Sequence, residues 1–209
     1  MDAQFSETEQ KILHAAKEVF LRHGKDGARM QEIARLAGIN QALLHYYFRN
    51  KDTLFTTVAR HLIRDFLQHI FIDTHEEASL QDFLQKFVSN YIDYIAENLE
   101  LPRFILWEIE RGGDIMVQEV RALQQQHGFG ILPLQQRIAE AIHNREIRAV
   151  DPLHLILSII GMCIYPYVAR PVAEKIFQLP DITSRTFRDQ RKQEVFQILW
   201  NGIKYTPSD

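Results

Sequence analysis

Residues 30 to 48, MQEIARLAGINQALLHYYF, place two short helical patterns end to end with three residues to turn the chain between them. The first pattern, roughly Met30 to Ala37, stops at Gly38, and the second begins after Asn40, a good N-cap residue. Helices joined so closely must cross at a steep angle. The crossing point then needs a small residue and the turn a positive φ, which Ala34 and Gly38 supply. Ile33, Ala37, Ile39, Leu44 and Tyr47 fall where this pair and a preceding helix would share a core. The pattern is that of a helix-turn-helix, although generic two-helix corners use the same residues.

The rest of the chain is helical in period and shows no persistent strand pattern. Ile12, Ala15, Ala16, Val19 and Phe20 recur at helical spacing behind a Ser6–Glu9 capping box, until HGKDG stops the helix. Further helices are expected over about 51–74, 79–98 and 102–111. Helical spacing from 115 to 143 is interrupted near HGFGILP. Asp151 and Pro152 open another helix, expected to run to about Phe177 with bends near Pro166 and Pro171. A last helix covers roughly 186–204. The fold class is therefore all-α, with a three-helix head over 1–50 and a larger helical body over 51–209, about nine helices.

With 46% apolar and 24% charged residues, the 209-residue chain is globular in composition and large enough to bury a core. A single cysteine, Cys163, excludes an internal disulfide, and the acidic, polar start MDAQFSETEQ is unlike a secretory signal, so a cytoplasmic location is expected. The longest apolar run, residues 153–169, contains His154, Ser158 and Pro166 and reads as a buried helix rather than a membrane span. Net charge is −3, but residues 22–51 carry six basic against two acidic side chains, +4, leaving −7 for the remainder. A positive patch around the two short helices of an acidic protein points to a polyanionic partner.

The stretch EIARLAGINQALLHYYFRNKDTLF resembles the DNA-binding signature of the TetR family of bacterial transcriptional regulators, through Glu32, Ile33, Ala34, Ala37, Gly38, Ile39, Leu44, Tyr47, Phe48, Lys51 and Leu54. The match covers roughly residues 8–56, and REIRAVDPLHLILSIIG resembles a helix junction common in the family's body. Four residues depart from the family's pattern: Ala28 and Arg29 where threonine or serine usually opens the second helix, Ala42 where glycine is usual, and His45 where tyrosine is common. These departures concern the operator read, not the fold. The resemblance implies a one-component regulator, most often a repressor, that binds a palindromic operator as a homodimer. Its body would bind a small-molecule effector and pass the signal through the fourth helix, changing the separation of the two recognition helices.

In that geometry Gln41, Ala42, Leu43, His45 and Tyr46 are expected at base edges or adjacent sugars, and Asn40, Tyr47 and Lys51 at phosphates. Gln41 can read adenine bidentately, and Ala42 and Leu43 suit thymine methyls. Arg29 and Gln31, at the start of the second helix, suit a phosphate. Phe48 fits the head core better. Effector-lining candidates are Phe104, Trp107, Met116, Phe129, Cys163 and Tyr167, apolar or aromatic residues near expected breaks. The helices 153–177 and 186–204 are expected to form a four-helix dimer interface, with Gly161 permitting close approach.

No Gly-rich phosphate loop, paired-cysteine metal spacing or nucleophile motif is present, and no cofactor or metal is called for. His61, Asp65, His69 and Asp73 recur every fourth residue, but this spacing drifts about 40° per step and reads as a solvated helix edge. Two rival readings remain: an architectural DNA-binding protein with a solid body, and an enzyme or carrier using Glu108, Glu110 or His127 in a body cavity.

Overall fold

The computed structural model describes residues 5–71, 79–128, 130–176, 178 and 181–206. Among these it contains eleven helices and no strand, apart from one isolated antiparallel bridge between Ile147 and Lys204. In chain order the helices are α1 (Glu7–Gly27), α2 (Met30–Leu36), α3 (Gln41–Tyr47), α4 (Lys51–Ile70), α5 (Leu80–Glu97), α6 (Leu101–Glu110), α7 (Asp114–His127), α8 (Ile131–His143), α9 (Pro152–Val168), α10 (Arg170–Ile176) and α11 (Arg185–Ile203).

Local chemistry accounts for most of these ends. The Ser6–Glu9 capping box is formed in both directions, and Ser79, Asp151 and Ser184 each accept backbone N–H bonds at the starts of α5, α9 and α11. The expected long helix over 153–177 is instead two helices, α9 and α10, bent by 74°. Pro166 is tolerated within α9, whereas the break falls at Ala169, just before Pro171, which can neither donate to Tyr167 nor avoid its carbonyl. Among the described residues no single helix is long and apolar enough to cross a membrane.

The chain divides into two compact units. The first comprises residues up to Asp65 together with Arg103–Glu119, and the second Phe66–Pro102 with Val120 onward. In the first, α1 packs on α2 and α2 on α3. Their shared core is Ile12, Ala16, Val19, Phe20, Ile33, Ala34 and Leu44, closed by Phe48 and Leu54. Phe20 meets Phe55 edge to face at 5.0 Å, and Phe55 meets Phe104 of α6 at 5.6 Å. In the second unit α5 is the central element, packed against α8, α9 and α11, and burying Phe83, Leu84, Phe87, Tyr91, Ile92 and Ile95.

Candidate nucleic-acid interface

The turn between α2 and α3 is built by backbone chemistry that the sequence announces. Gly38 has φ +68, and its N–H bonds the Arg35 carbonyl at 3.2 Å while the Ile39 N–H reaches back to the Ala34 carbonyl at 3.0 Å. That pair of bonds is a Schellman motif, which needs the left-handed residue between them. Nothing lies within 4 Å of where a Cβ would stand on Gly38, so glycine is required there by conformation and not by crowding. Two residues later the Asn40 side chain accepts the Leu43 N–H at 2.8 Å and starts α3. Ala34 is buried at the crossing, as the spacing requires.

The outward face of α3 follows from its register. At 100° per residue, Gln41, Ala42, His45 and Tyr46 occupy an arc of about 140°. All four are exposed, Tyr46 to 80%. Leu44 points into the core, Leu43 is half-buried beyond one edge of the arc, and Tyr47, half-buried, stands on the side of α3 away from the arc, meeting Tyr46 edge to face at 5.4 Å. Phe48 is buried.

His45 is held at both ring nitrogens. Nδ1 lies 3.3 Å from the Arg49 carbonyl, which can only accept, so Nδ1 carries the proton in that contact. In the neutral ring Nε2 is then an acceptor, and the Gln41 amide nitrogen lies 3.5 Å from it. That contact takes up one Gln41 N–H; the second N–H and the carbonyl oxygen have no hydrogen-bond partner among the described residues, and they are the pair an adenine edge requires.

Cations surround this face unequally. Lys25 is taken up by Asp52 at 3.0 Å and the Phe55 ring, Arg22 by Glu18, and His23 lies 3.5 Å from Glu32. The Asp52 carboxyl is consequently held below its ordinary range, first by its hydrogen bond from Lys25 and then by that ammonium's charge. Lys51 donates to the carbonyls of Asp26 and Ala28, both at 3.2 Å, tying the start of α4 to the α1–α2 loop and leaving one ammonium proton uncommitted. Arg29, Arg35 and Arg49 are exposed and form no ion pair among the described residues. Arg29 stands at the α2 N-cap without a side-chain cap bond, and Gln31 and Asn40 are exposed nearby. The sequence reading passed over Arg35 and Arg49. The signal for them is their place in the basic stretch 22–51; that the acids three positions away, Glu32 and Asp52, pair with His23 and Lys25 instead is visible only in the structure.

The remaining candidates divide between the two units. Phe104, Trp107 and Met116 belong to the first, where Phe104 is fully buried against Phe55 and the Trp107 ring covers Gly24, with the Arg103 guanidinium 4.8 Å from its centre. Cys163 and Tyr167 are buried on α9 in the second unit, and Phe129 lies outside the described residues. Burial pushes the Cys163 thiol up to about 12, so it is an inert packing residue at neutral pH. Glu108 is buried with its carboxylate accepting the Ile115 N–H at 2.9 Å at the start of α7, and Glu110 is exposed. His61 meets the Phe5 ring and His69 the Tyr94 ring, while Asp73 lies outside the described residues, and no group of three metal-ligating side chains occurs among those described.

An exposed short helix, set across a second by a glycine turn and ringed by unpaired arginines, defines a helix-turn-helix protein. Comparison with known proteins makes this specific. The family model described as "Bacterial regulatory proteins, tetR family" matches residues 12–58, and "Tetracyclin repressor-like, C-terminal domain" matches 81–199. The HTH-type transcriptional repressor SCO4008 of Streptomyces coelicolor is 26% identical over 72% of this chain and 75% of its own length. The HTH-type transcriptional regulator RutR of Escherichia coli K12 is 24% identical over 95% of this chain and 92% of its own. Among solved structures, AibR in complex with isovaleryl coenzyme A and operator DNA superposes with a TM-score of 0.70 at 18% identity, covering 92% of this chain and 97% of AibR. The chain belongs to the TetR family of bacterial transcriptional regulators.

Proposed function

We propose that this regulator is a cytoplasmic repressor that binds a palindromic DNA operator as a homodimer and releases it when a small-molecule effector binds. The observation that carries the reading is the α3 arc of Gln41, Ala42, His45 and Tyr46, exposed and flanked by the unpaired Arg29, Arg35 and Arg49. In the major groove this arc meets base edges, with Leu43 at its margin reaching a thymine methyl. Arg29, Gln31, Asn40, Tyr47, the free proton of Lys51 and Arg49 serve the phosphates. Residues 1–50 form the DNA-reading part and 51–209, which opens with α4 (Lys51–Ile70), the effector-binding and dimerising part. That AibR was solved with both an acyl coenzyme A and operator DNA supports a ligand-responsive mechanism.

Dimerisation is supported by register. On α9 the residues 153, 157, 161 and 165 follow one another at steps of four along the side opposite the buried Ile159, Cys163 and Tyr167. Leu153, Leu157 and Tyr165 are at least half exposed, Gly161 leaves the ridge open to close approach, and Ile198 and Gly202 present a similar edge on α11. An apolar stripe of this kind on two helices suits a self-complementary interface. Selection from a random duplex library with the purified protein tests the whole reading: recovery of a palindrome with half-sites about one helical turn apart supports it. Recovery of no preferred sequence refutes it.

A further inference from the structure

Three polar protons in the second unit have no acceptor. The phenol of Tyr167 on α9 and the Nε–H groups of Arg188 and Arg191 on α11 are shielded from solvent and have no hydrogen-bond partner. Tyr167 as a whole is 5% exposed. Native cores rarely leave one such donor unmatched, and here three belong to a single neighbourhood. Tyr167 follows Cys163 by one helical turn, on the side of α9 that faces inward. Arg188, Arg191 and Lys192 share an arc of about 120° on α11 with the buried Val195, Leu199 and Ile203. The arginines thus stand on the buried stripe of the helix, where packing alone would place apolar side chains.

The charges around them do not supply the missing acceptor. On α5, Asp93 is engaged by Lys192 at 2.6 Å, and Arg188 reaches Asp93 and Glu97 only at 3.8 and 3.5 Å. Asp189 pairs with Arg185 at 3.6 Å and Lys192 at 3.7 Å. Arg191 forms no ion pair among the described residues. One of its terminal nitrogens donates instead to the Met162 carbonyl at 2.7 Å. That carbonyl is available because Pro166, four residues on, has no N–H to give it. The bond fixes the plane of the guanidinium and leaves its Nε–H aimed at nothing the protein provides.

We propose that Tyr167, Arg188 and Arg191 form an anchoring site for an oxyanion, a carboxylate or phosphate group carried by a small molecule. The unmatched groups are all donors, and the carboxylates beside them are engaged, Asp93 by Lys192 and both Asp93 and Glu97 at the long contacts of Arg188, so their complement is a group with several lone pairs, negative charge and no protons. A guanidinium binds such a group through paired N–H bonds. Burial, with the Asp93 charge behind it, holds the Tyr167 phenol up to about 12 against the opposing pull of Arg188 and Arg191, so it stays protonated at neutral pH and donates. Arg188, whose side chain is 23% exposed, offers the way in, exchanging its long contacts with Asp93 and Glu97 for a direct bond to the anion. As the anchor of the effector's head group, the assignment rests on the ligand-responsive reading above. As an oxyanion site it stands alone.

The test is a thermal-shift titration of the full chain at fixed ionic strength with inorganic phosphate, sodium butyrate and, as neutral counterpart, butyramide. Phosphate or butyrate should raise the melting temperature saturably and butyramide should not. A response to phosphate alone assigns a phosphate head group, and to butyrate alone a carboxylate. Arg188→Gln should raise the half-saturating concentration at least tenfold. Tyr167→Phe, which removes one neutral donor with little change of shape, should raise it several-fold and decides the matter if Arg188→Gln folds poorly. No saturable shift with either anion, an equal shift with butyramide, or unchanged half-saturation in the folded variants would overturn the proposal, leaving ordered water as the occupant. Repeating the titration with operator duplex present separates the two readings. Anion binding that depends on Arg188 but leaves the operator bound keeps the site and removes its effector role. Operator release by some other compound without anion binding removes the site and keeps the repressor.

Discussion

Gly24 ends the regular part of α1 with φ 69 and ψ 176, a combination reserved almost entirely for glycine. A Cβ built there would stand 3.0 Å from Cη2 and 3.2 Å from Cζ2 and Cζ3 of Trp107. Gly24→Ala therefore carries two separable costs. Backbone strain contributes about 1–3 kcal/mol. Driving a methyl into the ring contributes about 1–3 kcal/mol more, unless the indole moves. Trp107→Ala alone should cost about 3 kcal/mol, the low end for an aromatic truncation because the ring is only half-buried. In the Trp107→Ala background the clash is gone, and Gly24→Ala should cost only its strain. The four proteins form a thermodynamic cycle with a coupling of about 1–3 kcal/mol, measured by urea denaturation. Gly38→Ala is the control: its φ is +68 with nothing within 4 Å, so it should cost about 1–2 kcal/mol whether or not Trp107 is present. Additive losses at Gly24 and Trp107, within about 0.5 kcal/mol, would refute the seating of the indole on α1.

Three further outcomes follow from particular contacts. Glu119 is buried and accepts two bonds from Arg64, at 2.9 and 3.0 Å, so Glu119→Ala should destabilise by about 2–3 kcal/mol in urea melts, less than a fully buried pair because both arginine partners reach solvent. The Asp151 carboxyl is held below its ordinary range, first by the His154 N–H and then by that of Leu153. With its folded pKa depressed, it contributes stability above the unfolded carboxylate value near pH 4 and loses it as pH falls through the folded pKa, so the melting-temperature gap between wild type and Asp151→Ala should be constant at neutral pH and narrow as pH falls below about 4. Leu157→Asp, at the centre of the exposed α9 ridge, should reduce the mass in light scattering from twice 24.5 kDa to 24.5 kDa without loss of helical circular dichroism. A wild type that is monomeric at micromolar concentration would contradict the dimer itself.

What could be read from the sequence was what is determined locally. The Gly38 turn, the caps at Ser6, Asn40 and Asp151 and the buried Leu44 and Phe48 depend on neighbours within a few residues, and their residue types announce them. Of the bends expected near Pro166 and Pro171, only the one beside Pro171 breaks the helix, at Ala169: the two prolines are equivalent in a pattern, but the bond lost at Pro166 is compensated by an arginine 25 positions later. Long-range pairing also hid the roles of α6 and α11. Nothing near Trp107 in the chain indicates that its ring lies on Gly24, 83 residues earlier, and only the buried Nε atoms of Arg188 and Arg191, on the stripe of Val195 and Leu199, mark them as more than surface charges.

The central claim, that α3 reads bases while the arginines around it hold phosphates, is tested most directly by measuring affinity for the selected operator and for random duplex across a range of salt concentrations, in wild type, His45→Ala and Arg49→Gln. His45→Ala should cost about 1–3 kcal/mol on the operator and little on random DNA, with the salt slope unchanged. Arg49→Gln should weaken both duplexes alike and lower the slope by about one per subunit contact. Equal losses on both duplexes for His45→Ala, or an unchanged slope for Arg49→Gln, would contradict the account.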